Sequence, residues 1–149
     1  MRYKPNSTVA AIIEQDGKFL LVEELDNGKT VFNQPAGHLE ANETLIEATC
    51  REVTEETGHL CEVKSYIGLY TYTAPSNQTT YHRHCFFAES TSYNENTVLD
   101  EGIIGIKWLT LEELLHSGKA RSPLVIKCIE DYINGKRYPL DLIYEHPNE

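Results

Sequence analysis

The sequence predicts an α/β protein of the α+β type, a mixed β-sheet with helices packed on its faces. Three observations lead there. Segments with strand-like alternation stand at residues 8–14, 18–23, 31–33, 62–72, 80–89 and 103–108. A strongly signalled helix, residues 44–57, interrupts them, and two more helical patterns, 111–117 and 122–133, follow the last strand. The order strands, helix, strands, helices suits one sheet covered on both sides.

The first strand, 8–14, is followed by Asp16-Gly17, a turn dipeptide, and then by 18–23, which together read as a hairpin. Asn27-Gly28 marks the next turn before 31–33, and a loop with Pro35 and Gly37 follows. The main helix has explicit boundaries. Thr44 and Glu47 have the spacing of a capping box, and Gly58 suits a left-handed stop. Leu45, Ala48, Thr49 and Val53 recur at three- and four-residue spacing and give one packing stripe. A polar loop is expected over 90–102, Thr110 is a cap for the helix at 111–117, and Trp108 is expected in the core. The C-terminal RYPLDLIYE is apolar enough to fold back on the body.

The 149 residues fit one domain, 1–149, with no repeat, low-complexity tract or linker. With 40% hydrophobic and 24% charged residues, the composition is that of a globular protein. No apolar run reaches the ~20 residues of a membrane helix, so no membrane partner is expected. The N-terminus lacks the pattern of a secretory leader, and a cytoplasmic location is the expectation. Cys50, Cys61, Cys85 and Cys128 are far apart, as expected of reduced thiols. The formal net charge of −10 disfavours polymeric nucleic acid as a partner. A small anion would also be repelled unless divalent cations stand between it and the protein.

Glu52, Glu55 and Glu56 lie within about one turn of the main helix, at spacings that make them surface neighbours. Arg51 offsets part of the repulsion by pairing with Glu47 or Glu55. The same cluster fits a solvated acidic face or a site for a hard cation such as magnesium, which prefers oxygen ligands and bridges to phosphates. The wider spacing separates the two. Gly37 is followed after five residues by Glu43, after seven more by Arg51 and Glu52, then by Val53, Glu55, Glu56 and Gly58.

This stretch resembles the Nudix box, G-x5-E-x7-R-E-U-x-E-E-x-G-U with U a bulky apolar residue. All the invariant letters are present, and at residue frequencies of ~5–10% chance agreement is on the order of 10⁻⁸ per starting position. One position departs: His59 stands where U is expected, and it reads as a partly exposed loop histidine. The resemblance implies an α/β/α sandwich and a magnesium-dependent phosphoanhydride hydrolase, with manganese as the alternative cation. It further implies Glu52 and Glu56 as metal ligands, Glu55 joining directly or through water, and the Gly37 carbonyl completing the set. Glu43 and Arg51 would hold the loop to the helix. Glu52 or Glu55 would be the general base, with Glu101 as a candidate from a distant loop.

Outside the box, FNQPAGHLEANETL, Trp108 with LTLEEL, RSPLV and RYPLDLI are similar to a bacterial NudJ-type phosphatase branch. That likeness implies small phosphorylated substrates, nucleoside tri- and diphosphates or thiamine-type pyrophosphates, handled by a monomer or homodimer. Two other readings stand beside it. One is a Nudix pyrophosphohydrolase for ADP-ribose, dinucleotide polyphosphates or oxidised nucleotides; the other is a non-catalytic nucleotide sensor. Sensors of this fold usually lose box glutamates, and this chain keeps them.

Substrate contacts are less marked. Arg83 suits a phosphate or a surface salt bridge. Phe32, Tyr70 and Tyr72 suit a stacked ring or plain packing. Arg121, with Ser122, suits a pocket wall or a helix start. His82 and His84 share a strand face but have no third ligand near them in sequence.

Overall fold

A computed structural model describes residues 1–148. The strands are β1 Asn6–Ile12, β2 Glu14–Gln15, β3 Lys18–Asp26, β4 Lys29–Asn33 and β5 Ala36–His38, then β6 His59–Thr73, β7 Thr80–Tyr93 and β8 Ile103–Leu109. The helices are α1 Leu45–Thr57, α2 Leu111–Ser117 and α3 Pro123–Ile133, with a 3-10 turn at Leu140–Leu142. One sheet has the order β5-β1-β7-β6 and is mixed, because β1 runs parallel to β7 and its other pairs are antiparallel. In the second sheet β3 pairs with β2, β4 and β8.

The mixed sheet is the filling of an α/β/α sandwich, and the two-residue period of β1 shows how. Val9, Ala11 and Ile13 pack with Leu45, Ala48 and Val53 of α1. Ala10 and Ile12 pack with Val125, Cys128 and Ile129 of α3 on the other face. Such two-faced burial marks a central strand. It also corrects the expected hairpin. The turn at Asp16-Gly17 is present, with both residues at positive φ, but it joins β2 to β3. β1 needs partners on both edges and finds them in β5 and β7.

Other differences are local. The loop expected around Gly37 contains the short edge strand β5. Residues 90–93, expected in a loop, extend β7 because they pair with the start of β6. His59 is buried, not a partly exposed loop residue. Its ring stacks on Tyr93 at 4.4 Å between centroids and meets Trp108 edge-on at 5.8 Å. An aromatic ring thus fills the apolar position of the box, and burial lowers the His59 pKa. Trp108 itself is only partly buried against the α1-side core. The C-terminal segment packs back as expected, with Leu140 and Ile143 on the same core and paired backbone bonds between Tyr66 and Tyr138.

Candidate functional site

α1 forms where its caps dictate. Thr44 Oγ1 accepts from Glu47 N at 3.1 Å, and Glu47 Oε1 accepts from Thr44 N at 2.8 Å. Gly58 ends the helix at φ 80°, a conformation that glycine adopts without a Cβ clash. Between these ends, Leu45, Ala48 and Val53 bury one stripe, and Glu52, Glu55 and Glu56 emerge beside it.

The chain before the helix is shaped around these acids. A Cβ on Gly37 would lie 2.2 Å from the Glu52 carboxyl carbon, so the side chain of Glu52 rests on bare backbone. Glu56 Oε1 accepts a 2.9 Å hydrogen bond from Ala36 N. Arg51 ties loop to helix, as expected of it and of Glu43. Its Nε and Nη2 donate to the two Glu43 oxygens at 3.0 and 2.7 Å, a bidentate pair. Nη2 also donates to the His38 carbonyl at 3.0 Å, and Nη1 to Glu52 at 2.6 Å and Glu55 at 3.3 Å. Of the two helix partners expected for Arg51, the bond goes to Glu55; Glu47 is engaged in the cap.

Electrostatics separates Glu43, Arg51, Glu52 and Glu56. The Arg51 guanidinium holds Glu43 below the usual carboxylate range, and Glu43 in turn raises Arg51. Burial raises Glu52 despite its bond to Arg51. Burial pushes Glu56 up to about 8, and the charges of Glu52, Glu24 and Asp100 add to that. Carboxylates held ionised in such a place require a compensating cation.

A third acid completes the cluster. Carboxylate oxygens of Glu52, Glu55 and Asp100 all lie within 4.8 Å of one another. Asp100 is carried there by the loop before β8, whose Asp100 N donates to the Glu55 carbonyl at 3.1 Å. The neighbouring Glu101, the loop candidate expected from the resemblance, lies outside this group. The loop was legible as acidic; both of its acids are exposed, and which of them meets Glu52 and Glu55 depends on that backbone bond. Glu56 faces Ala36 rather than joining the trio.

A cleft of about 1070 Å³ extends from this edge over the mixed sheet, with Gly37, Glu52 and Glu56 at one end. Arg83, Tyr72 and Arg121 line it farther along. Arg83 is buried, and Nη1 donates to Gln34 Oε1 at 2.8 Å and Nη2 to Asn33 Oδ1 at 3.0 Å. Its alternative reading, a surface salt bridge, is excluded by that burial. Arg121 pairs with Glu24 at 2.6 Å, and its backbone N donates to the Phe32 carbonyl. Ser122 caps α3 by accepting from Leu124 N, so the helix-start reading holds for it while Arg121 also borders the cleft. Phe32 is a correction: it is 7% exposed within the α3-side core and has no face for a substrate. Tyr70 is likewise core, its hydroxyl bonded to Asp131. Tyr81, Asn33 and Gln34 were not singled out from sequence, although Asn33-Gln34 ends two residues before the box.

The sandwich, the helix with its three glutamates and the glycine beneath Glu52 define a class. The NUDIX domain model matches residues 3–127, and the chain belongs to the Nudix family, as a hydrolase of phosphoanhydrides. Among curated proteins it is similar to Phosphatase NudJ of Escherichia coli K12, 43% identical over 141 residues, 95% of this chain and 92% of that one. Among solved structures, a Nudix hydrolase from Nitrosomonas europaea superposes with a TM-score of 0.94 at 47% identity, covering 98% of this chain and 100% of that one. The Nudix domain of Shewanella oneidensis NrtR complexed with ADP-ribose has a TM-score of 0.72, 18% identity and 89% coverage of both chains, and shares the fold. The expected fold and family are therefore those found. Among the described residues, no helix is long and apolar enough to cross a membrane.

Proposed function

We propose that the chain is a magnesium-dependent phosphatase that removes phosphate from nucleoside tri- and diphosphates and thiamine-type pyrophosphates. The observation that carries the reading is the acid cradle: three carboxylates within 4.8 Å and a fourth raised to about 8, built over a glycine that leaves room for nothing larger. The donor set is all oxygen, which fits a hard divalent ion and not a soft one. Glu52, Glu55 and Glu56 would hold the ion with the Gly37 carbonyl, and Asp100 supplies a further oxygen beside Glu52 and Glu55. When bound, such an ion offsets phosphate charge and lowers the pKa of bound water. Arg51 orients Glu52 and Glu55 by hydrogen bonds, and one of those two carboxylates accepts the proton of the attacking water. The likeness to Phosphatase NudJ supports the choice of substrates.

The test is a panel of GTP, GDP, thiamine pyrophosphate, ADP-ribose and a diadenosine polyphosphate, each with magnesium. Steady release of orthophosphate from GDP and thiamine pyrophosphate is expected. Cleavage restricted to ADP-ribose or the dinucleotide would move the chain to the pyrophosphohydrolase reading. Binding without turnover would make it a sensor.

A further inference from the structure

The order of strands β5-β1-β7-β6 is also an order of chemical groups along the cleft. The acids reach the edge strand β5, where Glu56 accepts from Ala36 N and Glu52 covers Gly37. On β1, Thr8 pairs with His38 of β5 on one side and with Arg83 of β7 on the other. Beyond it, Tyr72 of β6 pairs with Tyr81 of β7. Strands are spaced about 4.8 Å apart, so the Arg83 backbone is about 10 Å from β5, and that of Tyr72 about 14 Å. The cleft therefore presents acids, then a guanidinium, then the ring of Tyr72.

Arg83 is 7% exposed, and no carboxylate lies within ion-pair distance of it among the described residues. Its hydrogen bonds go to two uncharged amide oxygens, with the Cys128 thiol also beside it. A guanidinium has five N–H donors, and a buried cation without an anion is unfavourable unless one arrives. The amides are themselves fixed, since Gln34 Nε2 donates to the Val125 carbonyl of α3 at 2.8 Å. The fork of Arg83 is thus oriented before any substrate enters. On its far side Tyr72 lines the cleft beneath the β6–β7 hairpin, while Tyr81, on the same strand as Arg83, has its ring 6.3 Å from that of His38 on β5.

We propose that Arg83 holds the phosphate next to the organic group of the substrate, leaving the terminal phosphate to the cation that the glutamates would hold. This rests on the hydrolase reading above and deepens it, because it fixes where water attacks. The water oxygen bonds to the terminal phosphorus, and the bond from that phosphorus to the bridging oxygen breaks. The electron pair stays on the bridging oxygen, now part of the inner phosphate. The proton from water goes to a carboxylate. Orthophosphate and the organic monoester result from a diphosphate. A molecule with an organic group at each end has no terminal phosphate to place, so ADP-ribose is a poor substrate.

Hydrolysis of GDP with magnesium in ¹⁸O-water reads the attack site directly. Label in orthophosphate is expected; label in GMP overturns the assignment while leaving the hydrolase intact. Absence of turnover on every substrate of the panel would overturn the hydrolase reading, and this inference with it. In Arg83→Gln, KM for GDP and Kd for its methylene-bridged analogue rise together by ~10–100-fold, the loss expected for a charge-assisted hydrogen bond, while kcat changes a few-fold. Arg83→Lys restores part of that affinity. Unchanged KM and Kd in a folded Arg83→Gln protein would overturn the assignment. If Arg83→Gln does not fold, the position of the ¹⁸O label decides.

Discussion

Helices α1 and α2 are started and stopped by the same devices and charged in opposite ways. Each has a threonine–glutamate capping box, Thr44 with Glu47 and Thr110 with Glu113, and each ends at a left-handed glycine, Gly58 or Gly118. α2 follows the helix dipole, with Glu112 and Glu113 in its first turn and His116 in its last. α1 has no basic residue in its last turn and concentrates Glu52, Glu55 and Glu56 toward its negative end. Each misplaced charge costs roughly 0.3–1 kcal/mol when exposed, and burial adds to that for Glu52 and Glu56. Arg51 offsets part of it. α2 shows what the chain does when only stability is at stake, and α1 what it accepts for the site proposed above to hold a cation.

The contrast breaks most sharply at Glu56. Glu56→Gln should lower magnesium-supported turnover by more than the ~10–100-fold typical of changes to groups behind a metal ligand. The same variant should be no less stable without metal. Retention of parental turnover by a folded variant would show that the charge on α1 serves some other end.

A smaller effect separates two neighbours in sequence. Asp100→Asn should reduce activity by about 10-fold, within the range for such supporting carboxylates. Glu101→Gln should cost less, because its side chain stays outside the cluster. Equal losses in steady-state assays would return Glu101 to the site.

The pH dependence of stability sharpens the comparison further. The folded pKa of Glu56 is raised from 4.5 to about 8, so the folded state binds more protons than the unfolded one across that interval. Its stabilising contribution is therefore complete below about 4.5 and lost as pH rises through about 8. His59 and His84, lowered by burial, act the other way around their ordinary value of 6.5. Comparison of parent with Glu56→Gln removes the histidines from the reckoning. In metal-free buffer the Tm of the parent should fall relative to the variant between pH 5 and pH 8. Magnesium should reverse the gap at the upper end. A constant difference in scanning calorimetry would contradict the raised pKa.

The caps give the smallest effect and the cleanest control. Thr110→Ala and Thr44→Ala should each destabilise by ~1 kcal/mol, the usual value of an N-cap hydroxyl. Only the second should also lower turnover, because α1 alone carries the acids. A denaturant titration beside an activity assay checks both.

Much of this was legible beforehand where the controlling interactions are local. The Thr44 cap, the Gly58 stop and the spacing of Glu52, Glu55 and Glu56 depend on residues a few positions apart. So does the turn at Asp16-Gly17. The features that local pattern does not reveal involve partners far along the chain. Phe32 was open to a ligand role until β3, α2 and α3 enclosed it. His59 has the local pattern of a loop residue because Tyr93 and Trp108, which bury it, are distant in sequence.

By itself, then, the sequence determined the family, the extent of α1 and the gathering of carboxylates on it, since helical periodicity converts spacing directly into proximity. Tertiary structure alone decided that β1 pairs with β7, that Asp100 rather than Glu101 joins the acids, and that Arg83 is buried against Asn33 and Gln34. Those outcomes depend on strand pairing and burial between segments tens of residues apart, and no local pattern encodes which distant backbone will lie alongside.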